Sequence, residues 1–207
     1  MSRRALITAP RERAVFLDKD GTLIENVPYN VDPAFVVLTS GAATALRCLT
    51  DRGFRLLVVS NQPGVADGRF PSSALGAVEQ RIRDLLSPAG VSIDAFYYCL
   101  HSPEQRCGCR KPAPGLIRRA ATEHRIDLSR SWLIGDILDD VEAGRRAGCR
   151  AALLVNGNET LWQRGRYRRP DVAGRSLADV ARAIIAKEPP FPRTEEARHA
   201  AALAGRH

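Results

Sequence analysis

Apolar and polar positions along this chain recur in two rhythms. Short apolar runs of strand length occur at Val15–Leu17, Phe54–Val59, Ile93–Leu100, Trp132–Gly135 and Arg150–Val155. Between them, apolar residues repeat at helical spacing. Over Gly41–Arg52 the stripe is Ala42, Ala45, Leu46 and Leu49, and over Pro71–Leu86 it is Leu75, Val78, Ile82 and Leu85/Leu86. Helices are also expected over Pro114–His124, Asp139–Ala147 and Ser176–Ala186, with Gly53 and Gly148 as stop signals after the first helix and the one ending at Ala147. Phe54–Val59 is apolar throughout, as in a strand buried on both faces. Strands alternating with helices predict an α/β fold, a three-layer, Rossmann-like, doubly wound parallel sheet.

At 207 residues and 44% hydrophobic content, a single domain over residues 14–187 is expected. Residues 1–13 read as an N-terminal extension. Residues 188–207, Pro-rich and then charged and Ala-rich, read as a flexible tail. No apolar run is long enough to span a bilayer and no secretory h-region is visible, so a cytoplasmic monomer is expected. The odd count of five cysteines argues against a disulfide framework and for a reducing compartment.

The formal net charge is +8, carried by 28 Arg and only three Lys. Such a chain attracts polyanions or phosphorylated small molecules. The densest cluster, Arg164 to Arg169, has only Trp162 and Tyr167 nearby as stacking surfaces, so no nucleic-acid partner is expected. His124 reads as a cation at a helix C-terminus, Trp132 as core, and Cys48 and Cys149 as buried, inert thiols.

The expected strands end in reactive groups. Asp18 and Asp20 follow the first, Ser60-Asn61-Gln62 the second, Cys99-Leu100-His101 and then Arg110-Lys111 the third, and Asp136 the fourth. Open α/β sheets bind ligands at that edge. Neighbouring carboxylates repel unless they share a proton or hold a cation, and Mg²⁺ suits an oxygen-only set that meets phosphate. A carboxylate nucleophile, a second carboxylate as acid and base, a hydroxyl and an ammonium together suit phosphoryl transfer.

A second constellation is Cys99-x-His101 followed by Cys107-x-Cys109. Three thiolates and one imidazole complete a closed tetrahedral Zn²⁺ site. The loop between them, Ser102 to Arg106, has no apolar residue to pack, and a metal would order it. The zinc would then be structural, fixing the segment that delivers Arg110 and Lys111.

Asp18-Lys19-Asp20-Gly21-Thr22, Ser60-Asn61-Gln62, Lys111-Pro112 and Gly135-Asp136-x-x-x-Asp140 resemble, in order, the four motifs of haloacid-dehalogenase-superfamily phosphatases. The cysteine cluster, and spans too short for a cap domain, narrow the resemblance to the zinc-containing, capless histidinol-phosphate/heptose-bisphosphate phosphatases. The resemblance implies that Asp18 is the nucleophile, Asp20 the general acid/base, and Ser60 and Lys111 the phosphoryl-steadying pair. It places Mg²⁺ on Asp18, Asp136 and the backbone carbonyl of Asp20, with Asp140 in support. Asn26 and Tyr29, in the segment Asn26 to Asn30, match the substrate loop. Asn61, Gln62 and Arg110 would also contact substrate, the last gripping a second phosphate.

The implied substrate is a small phosphorylated sugar, foremost heptose 1,7-bisphosphate cut at C7. Histidinol phosphate or another small metabolite is the alternative, and a zinc-stabilised nucleic-acid module the non-enzymatic one. Carboxylates concentrated in the cleft disfavour the module. The resemblance breaks at two positions. The family often reads N-Q-x-G-x-x-R-G, where this chain has Asp67 before Gly68, and often has Lys after the fourth-motif Asp, where this chain has Ile137.

Overall fold

The computed structural model describes residues 12–188. Along them run β1 (Arg13–Leu17), α1 (Ala42–Thr50), β2 (Phe54–Asn61), α2 (Leu75–Leu86), β3 (Ala95–Cys99), α3 (Gly115–Glu123), β4 (Trp132–Gly135), α4 (Leu138–Ala147), β5 (Arg150–Leu154), β6 (Val172–Gly174) and α5 (Leu177–Lys187). All six strands are parallel, in the order β3-β2-β1-β4-β5-β6. Order reverses between β1 and β4, so the crevice for ligands opens at their carboxyl ends.

The alternation of side chains in β1 explains the layering. Val15 and Leu17 face one side and pack with Leu46 and Leu49 of α1, Val78 and Ile82 of α2, and Val180 and Ile184 of α5. Ala14 and Phe16 face the other, with Leu116, Ile117 and Ala120 of α3 and Ala143 of α4. Both faces of the central strands are covered, which is why they read as continuous apolar runs. Between β1 and β2, besides turns, are a 3₁₀ turn (Pro33–Phe35), α1 and two isolated bridges, Asp20 with Ile24 and Ile24 with Leu38. The described residues therefore contain no cap domain, and the three-layer, capless α/β expectation is the fold observed.

Four features differ from the sequence reading. β1 starts at Arg13, whose side chain is buried, inside the segment expected to be an extension. β6 was not anticipated, because three residues, Val172-Ala173-Gly174, carry no periodicity. Cys48 is exposed, on the outer face of α1, whereas Cys149 is buried as expected. Glu188 does not belong to a loose tail. Its buried carboxylate accepts from Arg13 at 3.2 Å, from Trp132 Nε1 at 2.7 Å and from Arg150, and so ties α5 to the amino ends of three strands. The rest of the expected tail, 189–207, and residues 1–11 lie outside the described residues.

Candidate active site

The acidic pair stands where β1 leaves the sheet. Leu17 pairs with Val58 on one side and Ile134 on the other, and Asp18 N–H still donates to Ile134 O at 2.9 Å. The chain then turns through Gly21, at φ 79°, a left-handed conformation natural to glycine. A Cβ on Gly21 would overlap the Asp136 carboxylate and the Asn158 amide, so the turn packs directly on the end of β4. Thr22 Oγ1 donates to Asp136 Oδ1 at 3.4 Å.

Asp18, Asp136 and Asp140 are all buried, and one carboxylate oxygen from each lies within 4.8 Å of the others. Among them sits Lys111, also buried. Its ammonium pairs with Asp18 Oδ1, lies 2.6 Å from Asp140 Oδ1 and donates to Val59 O at 3.0 Å. Burial pushes the Asp18 carboxyl well above its ordinary range; Lys111 opposes that shift, and Asp140 and Asp136 add to it. Asp136 is pushed up to about 6 by burial and by Asp140, against the hydrogen bond from Asn158. Burial opposes the Lys111 charge, yet Asp140 and Asp18 hold it firmly protonated. Three buried carboxylates around one ammonium resist ionising together, and an oxygen-preferring divalent cation that would neutralise them fits that donor set.

Asp20 is not one of these three carboxylates and has its own partners. Lys19 Nζ lies 2.7 Å from its Oδ1, and Gln62 Nε2 donates to its Oδ2 at 2.8 Å. Gln62 Nε2 also reaches Ser60 Oγ at 2.9 Å, tying the hydroxyl at the end of β2 to the second acid. Asn61 faces Lys111 instead, donating to its carbonyl at 3.1 Å and accepting from its N–H at 3.0 Å. Its amide is occupied in placing the lysine.

Cys99, His101, Cys107 and Cys109 converge beyond β3. Cys109 Sγ is 3.3 Å from both Cys99 Sγ and Cys107 Sγ and 3.2 Å from His101 Nδ1, while Cys99 Sγ is 3.5 Å from Cys107 Sγ and from His101 Nδ1. These are close to the edges of a tetrahedron around a metal with bonds of about 2.3 Å. Burial pushes the Cys99 thiol up to about 12. Cys107, against some burial, is drawn down to about 6 by Cys109 and the Arg110 N–H. That N–H lies 3.3 Å from Cys107 Sγ, and Arg110 Nη1 reaches back to His101 O at 3.4 Å. The donor set fits zinc, and the cluster leads straight into Arg110 and Lys111.

Of the expected substrate loop, Asn26 is exposed and lines a cavity of about 360 Å³ with Gly21, Asn156, Asn158 and Arg175. Tyr29 is exposed too, with the Arg69 guanidinium 4.0 Å above its ring. Sequence reasoning missed Lys19 as a partner of Asp20, and missed both asparagines after β5. Asn158 Nδ2 donates to Asp136 Oδ2 and Asn156 Nδ2 to Gly21 O, each at 2.7 Å. Their signal was a polar Asn-Gly-Asn at a strand's carboxyl end, the kind of position that revealed the other site residues.

Comparison with known proteins agrees with this geometry. A family model described as HAD-hydrolase-like matches residues 108–180. The D-glycero-beta-D-manno-heptose-1,7-bisphosphate 7-phosphatase of Mesorhizobium japonicum is 37% identical over 183 residues, covering 84% of this chain and 83% of its own. The same-named protein of Haemophilus ducreyi is 34% identical over 182 residues, covering 82% of this chain and 96% of its own. The crystal structure of D,D-heptose 1,7-bisphosphate phosphatase from B. bronchiseptica, complexed with magnesium and phosphate, superposes with a TM-score of 0.76 at 31% identity, covering 85% of this chain and 99% of that one. The buried acid and lysine cluster, the Cys-His loop and these similarities agree: this chain is a HAD-fold phosphatase and belongs to the heptose-1,7-bisphosphate 7-phosphatase family.

Proposed function

We propose that this protein removes phosphate from a small phosphorylated sugar through an aspartyl-phosphate, with heptose 1,7-bisphosphate, cut at C7, as the first candidate substrate. The observation that carries the reading is Lys111, buried and paired with both Asp18 and Asp140. A lysine held in this way orients a carboxylate for attack and meets the charge of an arriving phosphoryl group.

In the first half-reaction the Asp18 carboxylate attacks phosphorus. The bond from phosphorus to the sugar oxygen breaks, and Asp20 gives its proton to the departing alkoxide. Lys19 and Gln62 hold the two oxygens of Asp20 in place for that transfer. In the second half-reaction Asp20, now a carboxylate, takes a proton from water. The water oxygen attacks phosphorus, inorganic phosphate leaves, and Asp18 is restored. Ser60 Oγ and the Lys111 ammonium serve the equatorial oxygens in both steps. Asn61 acts through Lys111.

Asp18 and Asp136, with the backbone carbonyl of Asp20, would hold Mg²⁺, which when bound neutralises phosphoryl charge as a Lewis acid. Cys99, His101, Cys107 and Cys109 would hold Zn²⁺ in a closed, structural site. Four protein donors leave no position for substrate. Thiolate ligation requires reduced cysteines, and we place the protein in the cytoplasm accordingly.

The test is a Mg²⁺-dependent phosphate-release screen over both anomers of heptose 1,7-bisphosphate, the corresponding monophosphates and histidinol phosphate. Highest kcat/KM on a heptose bisphosphate supports the reading, and highest kcat/KM on histidinol phosphate replaces it with that alternative. Asp18→Asn is expected to lower kcat by about 10⁴-fold or more, with zinc content and melting temperature retained. Full activity in that variant removes Asp18 as nucleophile.

A further inference from the structure

We propose that Glu159 is a positioning residue for Lys111, acting from the loop after β5 through the first turn of α4 and Asp140. The proposal rests on the phosphatase reading above, in which the Lys111 ammonium serves the phosphoryl oxygens. That ammonium lies 2.6 Å from Asp140 Oδ1. Asp140 belongs to the first turn of α4, so whatever fixes that turn fixes the anchor of the lysine.

The first N–H groups of a helix have no partner within it and ordinarily find one in a Ser, Thr, Asp or Asn at the cap. α4 starts after Ile137, whose apolar side chain can accept nothing. Asp140 turns back, its Oδ2 accepting from Ile137 N–H at 3.4 Å and its own N–H donating to Ile137 O at 3.1 Å. The Leu138 N–H is met from elsewhere in the chain. It donates to Glu159 Oε2 at 2.6 Å, across 21 positions of sequence. A carboxylate there also suits the positive end of the helix dipole.

Glu159 is itself held, because its other oxygen, Oε1, accepts from Leu161 N–H at 2.6 Å. On one side of it, Asn158 donates to Asp136 Oδ2 and Asn156 to Gly21 O. On the other, Arg168 Nε donates to Glu142 Oε2 at 2.7 Å, and the same guanidinium pairs with Asp139. Residues 156–168 thus form a strap bonded to the turn after Asp20, to the end of β4 and to the first two turns of α4. The first turn of α4 rests directly on β4, since a Cβ on Gly135 would overlap the Asp140 side chain. With packing that tight, a shift of the turn is carried to Asp140 and so to Lys111.

The experiment compares Glu159→Ala, Glu159→Gln, Asp140→Asn and the double variant Glu159→Ala/Asp140→Asn with wild type, on heptose 1,7-bisphosphate with Mg²⁺. Glu159→Ala is expected to lower kcat about 10- to 100-fold with KM changed less than about twofold, as when an interaction made only in the transition state is lost. Its melting temperature should fall by about 2–4 °C, the usual effect of one lost cap. Glu159→Gln keeps an acceptor for Leu138 N–H and should recover most of kcat. In the Asp140→Asn background, Glu159→Ala should change kcat less than about twofold, since the route through Asp140 is already cut. Wild-type kcat in Glu159→Ala, or the same fold-loss in both backgrounds, overturns the proposal. A crystal structure of Glu159→Ala reads the same point without turnover. A Lys111 Nζ to Asp140 Oδ1 separation beyond about 3.5 Å supports the proposal, and the wild-type separation overturns it. If the wild type releases no phosphate from any sugar phosphate, the phosphatase reading fails alone and that separation decides for Glu159.

Discussion

The side-chain amide of Asn61 closes a two-point clasp on the main chain of Lys111, donating to its carbonyl at 3.1 Å and accepting from its N–H at 3.0 Å. The two residues are fifty positions apart, Asn61 the last of β2 and Lys111 in the segment between β3 and α3. Through this clasp the end of β2 sets the position of the ammonium that meets Asp18 and Asp140.

Removing the clasp should therefore act on the chemical step. Asn61→Ala is expected to lower kcat by about 10- to 100-fold, the usual consequence of a catalytic group displaced by about an ångström. Asn61→Asp should do no better, because it turns an oxygen toward the Lys111 carbonyl. Steady-state kinetics on whichever sugar phosphate the wild type prefers checks this. Wild-type kcat in either variant would separate Asn61 from Lys111 placement.

The thiolate cluster should be a metal site first and a contributor to turnover second. Cys107→Ala is expected to take zinc content from about one equivalent toward zero, and to lower the melting temperature by several degrees. Elemental analysis and a thermal melt read the two effects. Turnover should fall as well, since Arg110 and Lys111 follow directly on the cluster. An unchanged zinc stoichiometry would sink the four-donor assignment.

Asn158 holds Asp136 from outside, at 2.7 Å. Partners of this kind commonly contribute 10- to 100-fold to metal affinity. Asn158→Ala should therefore weaken Mg²⁺ binding about tenfold, measured by calorimetry on the protein without substrate. The Mg²⁺ dependence of turnover should shift in parallel. Equal Mg²⁺ affinity in the variant and the wild type would leave Asn158 a structural contact only.

Glu188 should matter for stability and not for catalysis. It serves Arg13, Trp132 and Arg150 at the amino edge of the sheet, opposite the site. Removing a buried partner of this kind costs about 3 kcal/mol, which for a chain of this size is a fall in melting temperature of about 6–12 °C. Glu188→Ala should show that fall with kcat/KM retained. A melting temperature within about one degree of wild type would return Glu188 to the tail.

Much of the fold was legible because a parallel sheet covered on both faces needs apolar runs, and its crossovers need helical stripes. β4 begins and ends where expected, at Trp132 and Gly135, and the stripe of α2 buries Leu75, Val78, Ile82 and Leu86. β6 left no mark because three residues are too few to show a period. Cys48 was misjudged because apolar neighbours in sequence do not share its face of the helix. The Asn156 and Asn158 contacts, 135 and 22 residues from their partners, could not be read locally.

The inventory of chemistry is written in the order of residues: two acids after one apolar run, a hydroxyl after the next, a lysine, a third acid, and four soft donors flanking a loop with nothing to pack. Residue type decides what a group can do, and spacing decides which groups leave a strand at the same edge. How those groups divide their work follows from folding. Lys111 is shared between Asp18 and Asp140, Asp20 is turned toward Lys19 and Gln62, and Arg69 lies on Tyr29. Each of these joins segments that no local pattern links. Their pairing follows from the strand order, which brings the carboxyl ends of β1, β2 and β4 side by side and leaves the side chains there to settle their charges against one another.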